Sequence, residues 1–178
     1  MKKTLLVLSA ILALSLAFVG CKKSTGGDEP DSSDPGAKPA FVMTYNAGAQ
    51  WAAPAFTVAD DWESIEVVFA DGTDFDKIQF AVISDKVEKE ESWGTAYYSL
   101  YPQATATTKI EFAKWLNEEK GEDGSTLADH GATKIAKISI QNKTTGAVTV
   151  KVISAKITKT DGSVVDVKPV GDWASKVD

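Results

Sequence analysis

Two stretches of this chain alternate apolar and polar residues with a period of two. They are KIAKISI (Lys134–Ile140) and VTVKVI (Val148–Ile153). Such a rhythm puts every second side chain on one face of an extended strand, and a helix of 3.6 residues per turn cannot satisfy it. The same reading applies to Ser64–Phe69 (SIEVVF), with Ile65, Val67 and Phe69 on one face. In Lys77–Ile83 (KIQFAVI), Ile78, Phe80 and Val82 share a face opposite Gln79 and Ala81. Thr95–Tyr101 (TAYYSLY) sets Thr95, Tyr97, Ser99 and Tyr101 against Ala96, Tyr98 and Leu100. Ala55–Val58, Thr107–Phe112, Lys156–Thr160 and Val164–Val167 complete the predicted strands. Turn chemistry falls between them at Asp71-Gly72, Asn142–Gly146 and Asp161-Gly162, the last in the form of a two-residue hairpin. One helical stretch competes: Phe112, Trp115 and Leu116 stand at i, i+3 and i+4 within Phe112–Lys120, and Gly121 is the expected stop. The predicted fold is all-β, an antiparallel β-sandwich with one short helix.

The only cysteine is Cys21. A domain of roughly 140 residues without a disulfide has to be held by its own core, and this length suffices for one.

The first residues read MKKTLLVLSAILALSLAFVGC. Lys2 and Lys3 precede an apolar run from Leu5 to Phe18 that is too short for an ordinary membrane span. The run ends in Phe18-Val19-Gly20-Cys21, which resembles the lipobox of bacterial lipoproteins, with Phe18 where that pattern prefers Leu. The resemblance implies a signal peptide over residues 1–20 and a lipidated Cys21. The other reading of Cys21 is a plain thiol beside a cleavage site elsewhere. Residues 21–39 follow as a linker rich in Gly, Pro, Ser and Asp, which buries too little surface to offset its ordering entropy. The domain then occupies residues 40–178. Lipid chains contribute about 0.8 kcal/mol per buried methylene, enough for several chains to hold the protein on a membrane. The expected location is the bacterial cell envelope, lipid-anchored at the outer membrane or cell surface. The acids Asp28, Glu29, Asp31 and Asp34 resemble those that accompany export to the surface in some bacterial lipoproteins, and taken alone read first as a solvated spacer.

Without residues 1–20, which carry two lysines and no acid, the formal charge falls from −6 to −8. Every basic residue other than His130 is lysine. An acidic chain lacking arginine forks is poorly suited to nucleic acid or phosphate, and suits neutral partners, uncharged sugars among them.

Little in the chain reads as reaction chemistry. His130, the single histidine, lies beside Asp129 with Ser125 nearby, but no nucleophile-elbow pattern surrounds any serine. One histidine and one cysteine are too few for a zinc centre. Asp71, Asp74 and Asp76 (DGTDFD) gather carboxylates in one loop without EF-hand spacing, and read as a polar turn; a structural calcium is left open. The chain is expected not to be an enzyme.

The aromatic set is richer, with five tryptophans and four tyrosines. Aromatic rings cover the apolar faces of sugars while amides and carboxylates bond the hydroxyls. Trp93 is expected at a loop-to-strand junction after the charged stretch Lys86–Glu91. Tyr97 and Tyr101 share a polar face with Thr95 and Ser99, and Gln79 and Gln141 lie opposite apolar residues on their own strands. Each aromatic taken singly also reads as core or rim packing, Trp62 and Trp115 above all.

FTVADDWESIEVVF (Phe56–Phe69), DKIQFAVIS (Asp76–Ser84), IAKISIQN (Ile135–Asn142) and VTVKVISAKITKTDGSVV (Val148–Val165) together resemble the jelly-roll, galactose-binding-like carbohydrate-binding modules of bacterial glycan-degrading enzymes. The resemblance implies a jelly-roll sandwich and a ligand site made of Gln79, Trp93, Tyr97, Tyr101 and Gln141. No catalytic domain accompanies it on this chain. The expectation is a non-catalytic, monomeric, lipid-anchored module that binds polysaccharide or oligosaccharide near the envelope. The alternative is a structural or adhesive envelope lipoprotein that binds a protein partner.

Overall fold

The structure is a computed structural model that describes residues 39–45, 53–91, 94–170 and 175–176. The signal peptide, Cys21, the linker as far as residue 38, and Trp51, Trp93 and Trp173 lie outside the described residues. Among the described residues no helix is long and apolar enough to cross a membrane.

Two antiparallel sheets form the domain, as the strand rhythm predicts. In chain order the elements are β1 (Phe41–Tyr45), β2 (Ala55–Thr57), β3 (Trp62–Phe69), β4 (Ile78–Glu91), β5 (Gly94–Leu100), β6 (Thr107–Glu111), α1 (Phe112–Asn117), β7 (Ile135–Asn142), β8 (Val148–Lys159), β9 (Val164–Asp166) and β10 (Ser175–Lys176). One sheet runs β10-β1-β8-β3-β6 with β9 added on β8, and the other runs β2-β7-β4-β5. Their inner faces meet in one core. Phe41 and Met43 from β1, Ile65 and Val67 from β3, and Val150 and Val152 from β8 come from the first sheet. Ile78, Phe80 and Val82 from β4 and Ile138 and Ile140 from β7 come from the second. Phe69 stands edge-on to Phe80, with ring centroids 6.0 Å apart, so an aromatic pair links the two sheets at favourable geometry.

Several boundaries differ from the sequence expectation, each for a physical reason. Val148–Ile153 and Lys156–Thr160 are one strand, β8, because Ser154 and Ala155 carry no turn chemistry and β3 pairs along the join from Val67 to Phe69. β4 continues past Ile83 through the charged residues to Glu91, paired with β5. The side chains from Lys86 to Glu90 are exposed, so no apolar alternation marks that extension. The helix ends at Asn117 and not before Gly121: Glu118 already leaves helical geometry at φ −123°, ψ −40°. The side-chain amide of Asn117 donates back to Ala113 O at 2.8 Å. Trp62 and Trp115, expected in the core, are partly buried against its edge.

Two of the three turn signals do not close hairpins. Asp71-Gly72 and Asn142–Gly146 both carry the chain from one sheet to the other. The second crossing is organised by Asn142, which is 2% exposed. Its Nδ2 donates to Gly146 O at 2.7 Å, and its Oδ1 accepts from the Thr144 N–H at 2.8 Å and the Thr144 hydroxyl at 2.9 Å. Asp161-Gly162 does close the β8–β9 hairpin, but within a three-residue loop that includes Thr160: the Lys159 N–H donates to Ser163 O at 2.9 Å, and Gly162 stands at φ +83°.

Candidate functional site

Ladder register decides which side chains share the outer face of the four-stranded sheet. Gln79 pairs with Gln141, Ala81 with Ser139 and Ile83 with Lys137 across β4–β7. Ser139 pairs in turn with Ala55 of β2. On the other side of β4, Ile83 pairs with Ser99 and Val82 with Leu100, while Gln79 bridges Gln103, so Tyr101 stands opposite Ala81. Directly opposed residues project to the same face. Phe80, Val82, Ile138 and Ile140 point into the core, so these rows point outward. One row therefore reads Tyr101–Ala81–Ser139–Ala55 across four strands.

This row forms a trough. On this face Ala81 is 0% exposed and Ser139 2%. A hollow of about 320 Å³ lies over it, lined among others by Gln79, Ile83, Lys137, Ser139, Gln141 and Tyr101. Tyr97 and Tyr101 rise at its β5 side, 42% and 57% exposed. Lys137 and Glu88 are the charged groups lining it, one of each sign.

Four of the five ligand residues expected from the sequence thus meet at one hollow: Gln79, Tyr97, Tyr101 and Gln141. The fifth, Trp93, lies outside the described residues. Sequence reasoning missed Lys137 and Ser139, although both alternate with Gln141 along β7 and that period was the available signal. It also missed Glu88, which stands on the extension of β4 beyond a register shift between Ile83 and Val87.

A second hollow, of about 580 Å³, lies on the far side of β5 and shares Glu88, Tyr97, Ser99 and Tyr101 with the first. Its other wall comes from Trp115 of α1 and from the loop after the helix, including Asp123 and His130. His130 stacks on Tyr98 with ring centroids 4.0 Å apart and an interplanar angle of 15°. Its Nε2 lies 2.9 Å from Asp123 Oδ2. The partner of His130 is therefore Asp123 and not its neighbour Asp129, which instead accepts from the Thr126 N–H at 2.9 Å. The Ser125 N–H, followed by the His130 ring, holds the Asp123 carboxyl below the ordinary carboxylate range. This arrangement ties a loop to the edge of the sheet.

The acidic turn at Asp71, Asp74 and Asp76 resolves into a local ion pair, Asp74 Oδ2 with Lys77 Nζ at 2.8 Å. Among the described residues no three His, Cys, Asp or Glu side chains come together as a metal site. A third hollow of about 420 Å³ lies between β1, β8 and the strand β9 segment, walled by Phe41, Ile153, Ala155 and Val167 with Lys156, Asp166 and Lys168 at its rim.

Comparison of the chain with protein-family models, with curated proteins and with solved structures found no match.

Proposed function

We propose that the protein is a non-catalytic, lipid-anchored glycan-binding module that holds polysaccharide at the cell envelope. The observation that carries this reading is one hollow on a sheet face that combines two exposed phenols, two opposed amides and opposite charges of one each. Exposed aromatic rings offer stacking surface to sugar C–H faces, and glutamine amides donate to and accept from hydroxyls. The hollow falls within the usual range for ligand sites. It continues over β5 into the larger one, with Tyr97 and Tyr101 common to both. A polymer crossing the tyrosines is thereby accommodated at more than one unit. The lipid anchor belongs to the same proposal and rests on the residues around Cys21.

Affinity electrophoresis of the full chain in mild detergent tests the reading, with xylan, mixed-linkage β-glucan, galactomannan and starch in the gels. Retardation by one polymer class, reduced in Tyr101→Ala with an unchanged melting curve, supports it. Absence of retardation in every gel by a folded protein refutes it and favours the protein-binding alternative.

A further inference from the structure

The floor of the hollow holds a group that the fold itself does not use. Ser139 is 2% exposed, and its hydroxyl has no hydrogen-bond partner among the described residues. Its neighbours along the row are alanines on both sides, Ala55 and Ala81. A buried hydroxyl without a partner forfeits the hydrogen bonds it makes in water, and an alanine of nearly the same shape avoids that loss. A serine at the bottom of a ligand-sized hollow, between two alanines, therefore calls for a partner from outside the chain.

We propose that Ser139 is the specificity-determining contact of this site, bonding one hydroxyl of a neutral sugar unit held in the hollow between Tyr101 and Ser139. The inference rests on the glycan-binding reading above and names the unit that fits. Strands in a sheet stand about 4.8 Å apart, so two spacings, about 10 Å, separate Tyr101 from Ser139 along the row. That interval accepts one pyranose ring, edge toward the serine, with the tyrosine phenol at its other side. The rims supply Gln79 and Gln141 on one side and Ile83 and Lys137 on the other. Lys137 and Glu88 have opposite charge, so the lining selects neither a uronate nor an amino sugar. A deoxy unit lacking the hydroxyl that faces Ser139 leaves the serine unpartnered in the complex, and that analogue is rejected for the same reason.

The test is a titration of the full chain in mild detergent, by calorimetry, with whichever of the four polysaccharides retards it. Ser139→Ala and Tyr101→Ala are compared with the native protein, each with a melting curve. The expected result for Ser139→Ala is an affinity lower by about tenfold, from loss of one hydrogen bond in a dry site, with a melting temperature equal to or above the native one. If Tyr101→Ala weakens binding and Ser139→Ala does not, the glycan reading stands and the role of Ser139 is overturned. A lower melting temperature for Ser139→Ala also overturns it, because the hydroxyl then serves the fold. If none of the polysaccharides binds the native protein, the glycan reading fails, and the inference with it.

Discussion

Gln79 and Gln141 stand directly opposite each other across the β4–β7 ladder, and the Gln79 Nε2 donates to Gln141 Oε1 at 3.2 Å. The bond orients both amides while each keeps a further donor and acceptor for a ligand. On the proposed glycan reading, Gln79→Ala removes one ligand contact and releases the other amide from its fixed position. Its expected effect is a loss of about 1–2 kcal/mol in glycan binding. The Gln79→Ala, Gln141→Ala double variant should lose less than the sum of the two single variants, because the residues act as a pair. Calorimetric titration of the four proteins measures the coupling.

Asp85 fastens the start of β7 to β4. Its Oδ1 accepts from the Thr133 N–H at 2.8 Å and the Lys134 N–H at 3.2 Å, and its Oδ2 from the Thr133 hydroxyl. Partial burial pushes the carboxyl up, but these donors outweigh it and hold it below the ordinary carboxylate range. A carboxyl lowered in the folded state stabilises the fold above its unfolded value, near pH 3.9, and that contribution is lost as pH falls through the folded value. Asp85→Asn should therefore cost about 1–2 kcal/mol at pH 7. Denaturant titrations of both proteins from pH 7 down to pH 2 should show the gap narrowing below about pH 4. A gap that stays constant with pH would refute the assignment.

Asn142 satisfies the backbone of the crossing between the two sheets from a buried position. In Asn142→Ala, Gly146 O loses its closer donor, keeping only the Thr144 hydroxyl at 3.5 Å, and the Thr144 N–H loses its acceptor in a partly buried turn. The expected destabilisation is about 1–3 kcal/mol. It should appear as a lower urea midpoint with an unchanged slope, since the surface exposed on unfolding stays the same.

Gly162 takes φ +83° in the β8–β9 turn, and a Cβ there would meet nothing within 4 Å. The cost of Gly162→Ala is therefore conformational, about 1 kcal/mol. Gly162→Asn should cost less, since asparagine visits the left-handed region more readily. Thermal melts of the two variants rank them; equal melting temperatures would show that crowding and not backbone conformation governs the position.

Much of the fold was legible because burial on one face leaves a period of two in the sequence. Ile65, Val67 and Phe69, and Ile78, Phe80 and Val82, announce their strands in this way. The same period brought Gln79 and Gln141 to one face, since each lies between core residues. Where the period fails, so does the reading. The side chains of Lys86–Glu90 are all exposed, so that part of β4 carries no pattern, and the register shift before Val87 hides the approach of Glu88 to the hollow. Sheet membership was not legible either. The turns at Asp71-Gly72 and Asn142–Gly146 have the composition of hairpin turns, yet they join strands of opposite sheets. That choice is made by which faces bury each other over long range, and local residues do not record it. Ser139 was passed over because a small polar residue on an outward face is ordinary in sequence; only its burial makes it unusual.

The hollow at Ser139 is walled by long side chains, Gln79, Ile83, Lys137 and Gln141, around one short one, and this gives mutation a second route to loss. A survey that trims side chains one at a time tests only the first. Growth is the other damaging direction: extra carbon at Ser139 would enter the hollow from below, while Ile138 and Ile140, on the opposite face of the same strand, keep their place in the core. A descendant of this chain could thus lose the hollow through one enlarged residue and remain as well folded as its ancestor.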